Sequence, residues 1–288
     1  MDWQATGPNP AIPEWAQDDC RLYALWPFAN RCRSACEYCL LGRDSKPASR
    51  LWADADAVAG WQRIADKHGP CYILCGGREP TEELPLLADV LACHYGSIAT
   101  NAMFDAAAFC ATIPPERLEL HPSFHAHLWR DLDEFLAKLV GLRGHGYRIP
   151  FVVLVGYPPY LAHWDEWIPR LRAEGFAVNL APARNCTFEG RCLPEGYTVA
   201  ERAILDRHIA PILFAPATTM QKPGGVVCAA GHAAFAVMAD GTIGRCTQVA
   251  GAMGQQTLFD ENAFDLLPGP LPCGEACCVC VNMWAFHL

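Results

Sequence analysis

The chain has 288 residues, 52% of them hydrophobic and 18% charged, with a net charge of −9 at neutral pH. That length supports one large domain plus a small one with a sizeable core, and the acidic balance argues against the basic stripe of a nucleic-acid-binding surface. No apolar run reaches the roughly 18 residues of a membrane span, and the polar, proline-rich opening at 1–13 lacks the basic and apolar regions of a secretory signal.

Cysteine is the outlier, at 16 residues. Disulfide frameworks belong to small secreted domains short of core, and this chain is not short of core. Reduced, metal-directed cysteine in a cytoplasmic protein is the expectation.

In chain order, a polar arm covers 1–20 and an apolar, aromatic-rich run at 21–28 reads as a first strand. Cys32-Arg33-Ser34-Ala35-Cys36-Glu37-Tyr38-Cys39 follows directly, three thiols spaced C-x3-C-x2-C. Structural zinc closes with four ligands, and an electron-transferring 4Fe–4S cluster takes four cysteines. Three thiols on one loop therefore suit a cluster with one open iron; the bland alternative is a zinc knuckle lacking a ligand.

Trp52, Val58, Trp61, Ile64 and Ala65 recur at helical spacing, so a helix is expected from about Ala53 to His68. A buried strand at 71–75 runs into Gly76-Gly77-Arg78-Glu79-Pro80-Thr81. Further helices are expected at 82–93, 104–111, 131–142 and 163–174, and further strands at 97–100, 117–121, 151–155 and 176–180. Strands and helices alternate six times, and most strands are continuous apolar runs, the pattern of a parallel sheet covered by helices. On that pattern alone a doubly wound sheet and a partial barrel stay equally open.

The stretch 183–222 reads as an irregular bridge with one helix at 199–208. From 223 to 288 helical signals thin out, and Asp240-Gly241 between short apolar segments marks a hairpin. Cys228 and Cys246 bracket it as C-x12-G-x4-C, and the tail brings Cys273, Cys277, Cys278 and Cys280. A hairpin and a returning cysteine-rich tail can form a four-cysteine site for zinc or iron–sulfur. Cys277 and Cys280, spaced C-x2-C, are the preferred tail pair, with Cys273 and Cys278 as alternatives. Cys20, Cys71, Cys75, Cys93 and Cys110 read as buried thiols; Cys186 and Cys192 are structural, or one touches substrate.

C-x3-C-x-Φ-C with aromatic Tyr38 resembles the signature of the radical S-adenosylmethionine (SAM) enzymes. That resemblance implies an α/β fold built on a partial (β/α)6 TIM-like barrel over 21–182. It implies that Cys32, Cys36 and Cys39 bind a 4Fe–4S cluster whose open iron chelates SAM, and that SAM is cleaved to a 5′-deoxyadenosyl radical. Tyr38 would pack by the adenine. Gly76, Gly77, Arg78, Glu79 and Pro80 resemble the family's GGEP turn toward SAM, with Arg78 in place of the second glycine. His121 and Ser123 resemble its ribose- or substrate-reaching positions, and an ordinary capped turn is the equal alternative. The 223–288 region resembles a twitch-type extension, a short SPASM form, holding one auxiliary 4Fe–4S cluster through Cys228, Cys246 and two tail cysteines.

The expected activity is hydrogen abstraction from a small polar metabolite of sugar, aminocyclitol or nucleoside type, as in a dehydrogenase or epimerase. An external one-electron donor such as flavodoxin or ferredoxin would serve it, with no nucleic-acid or membrane partner. Peptide modification is the alternative, and a non-catalytic iron–sulfur or zinc protein a second one. His125, Tyr157, Arg184 and Asn185 are the candidates for base or substrate-orienting roles, since each follows a strand end, where barrel enzymes gather function.

Overall fold

The structure is a computed structural model that describes residues 9, 11–29, 31–39, 52–184, 186–208, 226–247, 249, 253 and 256–273. The elements run α1 (Glu14–Gln17), β1 (Leu22–Ala29), α2 (Asp54–His68), β2 (Cys71–Gly77), α3 (Leu84–Leu91), β3 (Tyr95–Thr100), α4 (Ala106–Thr112), β4 (Leu118–Phe124), α5 (Leu132–Gly144), β5 (Phe151–Gly156), α6 (Pro158–Leu161), α7 (Trp164–Ala173), β6 (Ala177–Pro182), β7 (Cys186–Phe188), β8 (Arg191–Leu193), α8 (Val199–His208), β9 (Val227–Cys228), β10 (Ala234–Val237), β11 (Ile243–Gly244) and β12 (Leu271–Pro272). Eight of the strands form one sheet in the order β11-β10-β1-β2-β3-β4-β5-β6. The run from β1 to β6 is sequential. A doubly wound sheet would reverse its order at a switch point, so the strand order selects the singly wound, barrel-type alternative. Among the described residues no helix is long and apolar enough to cross a membrane.

Contacts divide the chain into two units, one of residues 1–30, 48–97 and 220–288, the other of 31–47 and 98–219. In the first, β1 pairs in parallel with β2 from Leu22↔Cys71 to Trp26↔Cys75, and with β10 on its other side from Tyr23↔Ala234 to Leu25↔Ala236. Seven of the eight β1 residues are buried, as a strand covered on both faces requires. Ahead of β1 the chain is tied down at Asn9, whose side chain donates to the carbonyls of Arg21 and Ala233 at 3.1 and 2.9 Å. Asp54 and Asp56 open α2 and Lys67 and His68 close it, complementing its dipole, and Gly69 at φ +82° ends it. The expected hairpin forms as β10 and β11 around Gly241 at φ +88°.

In the second unit β4, β5 and β6 pair in parallel, with Ser123↔Val153 and Val153↔Asn179 in one row. Burial alternates along β4 and β5, so His121, Ser123, Phe151, Val153 and Val155 share a half-exposed face. β4 runs three residues beyond the expected end at His121, so Ser123 lies inside the strand rather than after it. His121 stacks on Phe151 with ring centroids 4.6 Å apart and its Nε2 meets Glu119 at 2.7 Å.

The bridge expected to be irregular carries a short antiparallel hairpin, β7–β8, turning through Glu189 and Gly190 at φ +48° and +76°. Its register sets Cys186 opposite Leu193 and Thr187 opposite Cys192, so the two cysteines face opposite sides. Arg191 anchors the hairpin to α8 through two bonds to the Glu201 carboxylate, at 2.6 and 2.9 Å.

Two predictions follow from this framework. Gly77 stands at φ +105°, and a Cβ there would lie 2.3 Å from the Ala29 carbonyl oxygen, whereas a Cβ on Gly76 meets nothing within 4 Å. Gly77→Ala is expected to cost about 1–3 kcal/mol and Gly76→Ala less than about 0.5 kcal/mol in urea unfolding; equal costs would show that the close approach is not real. The Arg191 hydrogen bond holds Glu201 down to about 2, against 4.5 for a free glutamate. A carboxyl with a depressed folded value stabilises above its unfolded value and loses that contribution as pH falls. Glu201→Gln should therefore lower the melting temperature by about 2–4 °C at pH 7, and the gap should close steadily below pH 4.5.

Candidate functional site

The three-cysteine loop lies wholly in the second unit. Cys32, Cys36 and Cys39 are partly exposed and form no disulfide. The loop bends at Ala35, which takes φ +46°, and tightens where the Cys39 amide donates to the Cys36 carbonyl at 3.2 Å. Among residues 31–39 only Tyr38 is buried. Its ring sits 4.8 Å from Tyr157, 5.6 Å from His125, 5.8 Å from His127 and 5.9 Å from Tyr160.

The Tyr38 Oη lies 2.7 Å from His125 Nδ1, and the Cys36 sulfur lies 3.9 Å from the same nitrogen. Burial, then neighbouring His127, lowers His125 to about 4, so its imidazole is neutral at pH 7. Burial first, then Cys36, Tyr160 and Tyr157, raises the Tyr38 phenol, which keeps its proton. Tyr38 therefore donates and Nδ1 accepts, which assigns the remaining ring proton to Nε2. Residues flanking the cysteines are pinned too. Tyr157 donates to Glu37 at 2.6 Å, Asn101 donates to the Ser34 hydroxyl at 2.6 Å, and His127 Nε2 meets the Ser34 carbonyl at 3.2 Å.

His125 and Tyr157, singled out from sequence, are thus brought onto the cysteine loop. Arg184 lies two residues beyond β6, and Asn185 lies outside the described residues. Glu37, Ser34, Asn101, His127 and Tyr160 escaped the sequence reading. His127 and Tyr160 stand two and three positions from residues it did select, the spacing that would have signalled them.

In the first unit Gly76 and Gly77 are the last residues of β2, and the Arg78 amide donates to the Ala29 carbonyl at 2.8 Å. Glu79 is buried. Its carboxylate caps the 3₁₀ turn that begins at Pro80, accepting from the Thr81 hydroxyl at 2.7 Å. Cys228, Cys246 and Cys273 pack into one apolar cluster of this unit. Burial raises the Cys228 thiol, opposed by the Ala230 amide and the Arg245 guanidinium, and the sulfurs of Cys273 and Cys246 add to the rise. Cys277, Cys278 and Cys280 lie outside the described residues. Of the thiols expected to be buried, Cys20, Cys71 and Cys75 are, while Cys93 and Cys110 are partly exposed.

Among the described residues no three His, Cys, Asp or Glu side chains stand gathered tightly enough to hold a metal ion as they are. The donor chemistry nevertheless fits an iron–sulfur cluster: three reachable thiols, none in a disulfide, on one short loop pinned between its cysteines. The Tyr38 anchor has a direct test. Tyr38→Phe strands the His125 acceptor and is expected to cost about 1–3 kcal/mol, with faster amide exchange across 31–39; a variant as stable and as protected as the native chain would show that the hydrogen bond holds nothing.

No family model matches this chain, and no curated protein matches it. Solved structures do. Native anSMEcpe with bound AdoMet superposes with a TM-score of 0.58 at 12% identity, covering 84% of this chain and 79% of that one. The same protein with AdoMet and the Cp18Cys peptide gives 0.56 at 12% identity, over 84% and 78%. Streptococcus suis SuiB bound to S-adenosylmethionine gives 0.56 at 13% identity, over 84% of this chain and 64% of that one. At these identities the likeness is one of fold: the chain has the partial-barrel α/β fold of these radical SAM enzymes.

Proposed function

We propose that this chain is a radical SAM enzyme in which Cys32, Cys36 and Cys39 hold a 4Fe–4S cluster and the 223–288 region forms a twitch-type domain with an auxiliary cluster. The observation that carries the reading is a three-thiol loop whose only buried side chain, Tyr38, is locked by His125 and Tyr157. When bound, the cluster supplies one-electron reduction and cleavage of SAM, leading to hydrogen abstraction from a C–H bond. The protein's own work is positional. Tyr38 offers a ring face beside the loop, His125 and Tyr157 fix that ring and Glu37, and Arg184 with Asn185 remain candidates for orienting substrate. Gly76 and Gly77 are proposed to let SAM approach the backbone, together with the Arg78–Pro80 segment.

For substrate we favour a small polar metabolite of sugar, aminocyclitol or nucleoside type. One face of the second unit's strands presents Ser123 and Asn179 in one row with the His121–Glu119 pair beside them, and hydroxyl and amino groups find partners there. A peptide substrate is the second reading, and the observation favouring it is the peptide seen with anSMEcpe. A low-potential donor of flavodoxin or ferredoxin class and a reducing, cytoplasmic setting complete the proposal; the partly exposed thiols of the loop favour that setting.

The test is anaerobic reconstitution followed by dithionite and SAM. The native chain should yield 5′-deoxyadenosine, and Cys36→Ala should reduce it to the level without protein. Zinc in place of iron, or no deoxyadenosine, would reduce the chain to a non-catalytic metal protein. Titration with sugar nucleotides and with peptides then separates the two substrate readings, and tight peptide binding alone would sink the first.

A further inference from the structure

We infer that Cys273 is a thiolate ligand of the auxiliary site together with Cys228 and Cys246, and that Arg245 is the residue that orders the backbone carrying them. The inference rests on the auxiliary-cluster reading and changes its ligand set, which spacing alone would draw from Cys277 and Cys280.

Register carries the first step. β12 and β9 pair antiparallel with Leu271 opposite Cys228 and Pro272 opposite Val227, and the Cys273 amide extends the ladder to the Val226 carbonyl at 2.8 Å. Side chains alternate along a strand, so Cys273 shares the face of Leu271 and hence of Cys228. The two are diagonal cross-strand neighbours, a relation that spans about 7–8 Å between backbones and less between side chains. A slip of one residue would put them on opposite faces. Cys246 packs against the same apolar cluster.

Arg245 carries the second step. It is buried, at 5% exposure, and it immediately precedes Cys246. Its Nε donates to the Ala230 carbonyl at 2.6 Å, one Nη to the Cys228 carbonyl at 2.7 Å and to that of Leu271, and the other to the Pro272 carbonyl at 3.0 Å. One planar fork therefore ties the backbone of Cys228 to the residue before Cys273 and to its own neighbour Cys246. All these partners are neutral, and among the described residues no carboxylate pairs with it. A buried cation without a counter-charge is costly, and a thiolate-bound cluster beside it supplies one. The Ala230 amide already points at the Cys228 sulfur, 3.5 Å away, the kind of donor that tunes such clusters. Space for the guanidinium stem comes from Gly231, where a Cβ would lie 2.9 Å from the Arg245 Cγ.

The experiment uses the full chain with Cys32, Cys36 and Cys39 all changed to Ala, so that metal at the auxiliary site is read alone. Reconstituted anaerobically, this chain should keep about four iron atoms. Adding Cys273→Ala, or the milder Cys273→Ser should the first fail to fold, should remove at least half of that iron and the matching visible absorption. Full iron retention in a folded Cys273 variant would overturn the assignment. Zinc in place of iron, lost with the same substitution, would uphold the thiol set and overturn the iron–sulfur part of the proposed function. For Arg245, loss of its charge in Arg245→Met should shift the reduction potential of the auxiliary centre downward, and Arg245→Lys should restore it; an unchanged potential would leave Arg245 no part in the site.

Discussion

The buried phenol of Tyr38, donating to a neutral imidazole inside a ring of aromatic side chains, is the contact on which the candidate site depends. Residues 31–39 form no helix or strand, and all but Tyr38 keep some exposure. A loop of that kind loses conformational entropy on ordering with little burial to offset it. One deeply buried aromatic residue placed between two thiols, with Ser34 and Glu37 tied on either side, turns a short polar loop into a defined surface. Ala35 at a positive φ belongs to the same economy, since a non-glycine residue stays there only where its surroundings hold it.

The two cysteine-bearing regions solve one problem by different physics. Around the N-terminal loop, Tyr38, His125 and Tyr157 are each driven toward their neutral forms. His125 falls, and Tyr38 and Tyr157 rise, with burial the leading cause each time. Around Cys228 a charge is built into the protein, because an arginine keeps its proton in any setting. Neutral rings suit the seating of a planar, partly apolar ligand, whereas a fixed cation suits an anionic centre that stays in place.

Much of the fold was legible from hydrophobic pattern because the strands are apolar runs: β1 is buried along nearly its whole length, and β5 carries apolar residues on its half-exposed face as well. Continuous apolar runs such as 21–28 and 151–155 have no other stable use in a chain of this composition. What was illegible depended on local geometry or on distance in sequence. β7 and β8 are three residues each, too short for periodicity, and their turn relies on Glu189 adopting a conformation that glutamate rarely takes. The end of β4 was misplaced because His121 and Ser123 look like turn residues, yet they alternate with the buried Pro122 and Phe124 as strand residues do. The hydrogen bond from Tyr38 to His125 spans 87 positions, and no local pattern encodes it. Sequence could nominate both residues as functional but could not pair them.

A chain with 16 cysteines must also keep most of its sulfur away from metal. Burial removes some of it: Cys20, Cys71 and Cys75 are buried, while Cys93, Cys110, Cys186 and Cys192 keep exposure and Cys228 is itself buried. Cys71 and Cys75 stand in β2 with no exposed surface, and desolvation raises both thiols far from the thiolate form that metals and oxidants require. Cys32, Cys36, Cys39, Cys246 and Cys273 keep partial exposure on loops or at strand ends, where an arriving cluster could reach them. The thiolate, not the thiol, is the ligand, so Cys71 and Cys75, fully enclosed in the parallel sheet, are poorly placed to compete for metal. The parallel sheet thus has a second consequence beyond holding the loops. Its dry interior holds Cys71 and Cys75 in the thiol form.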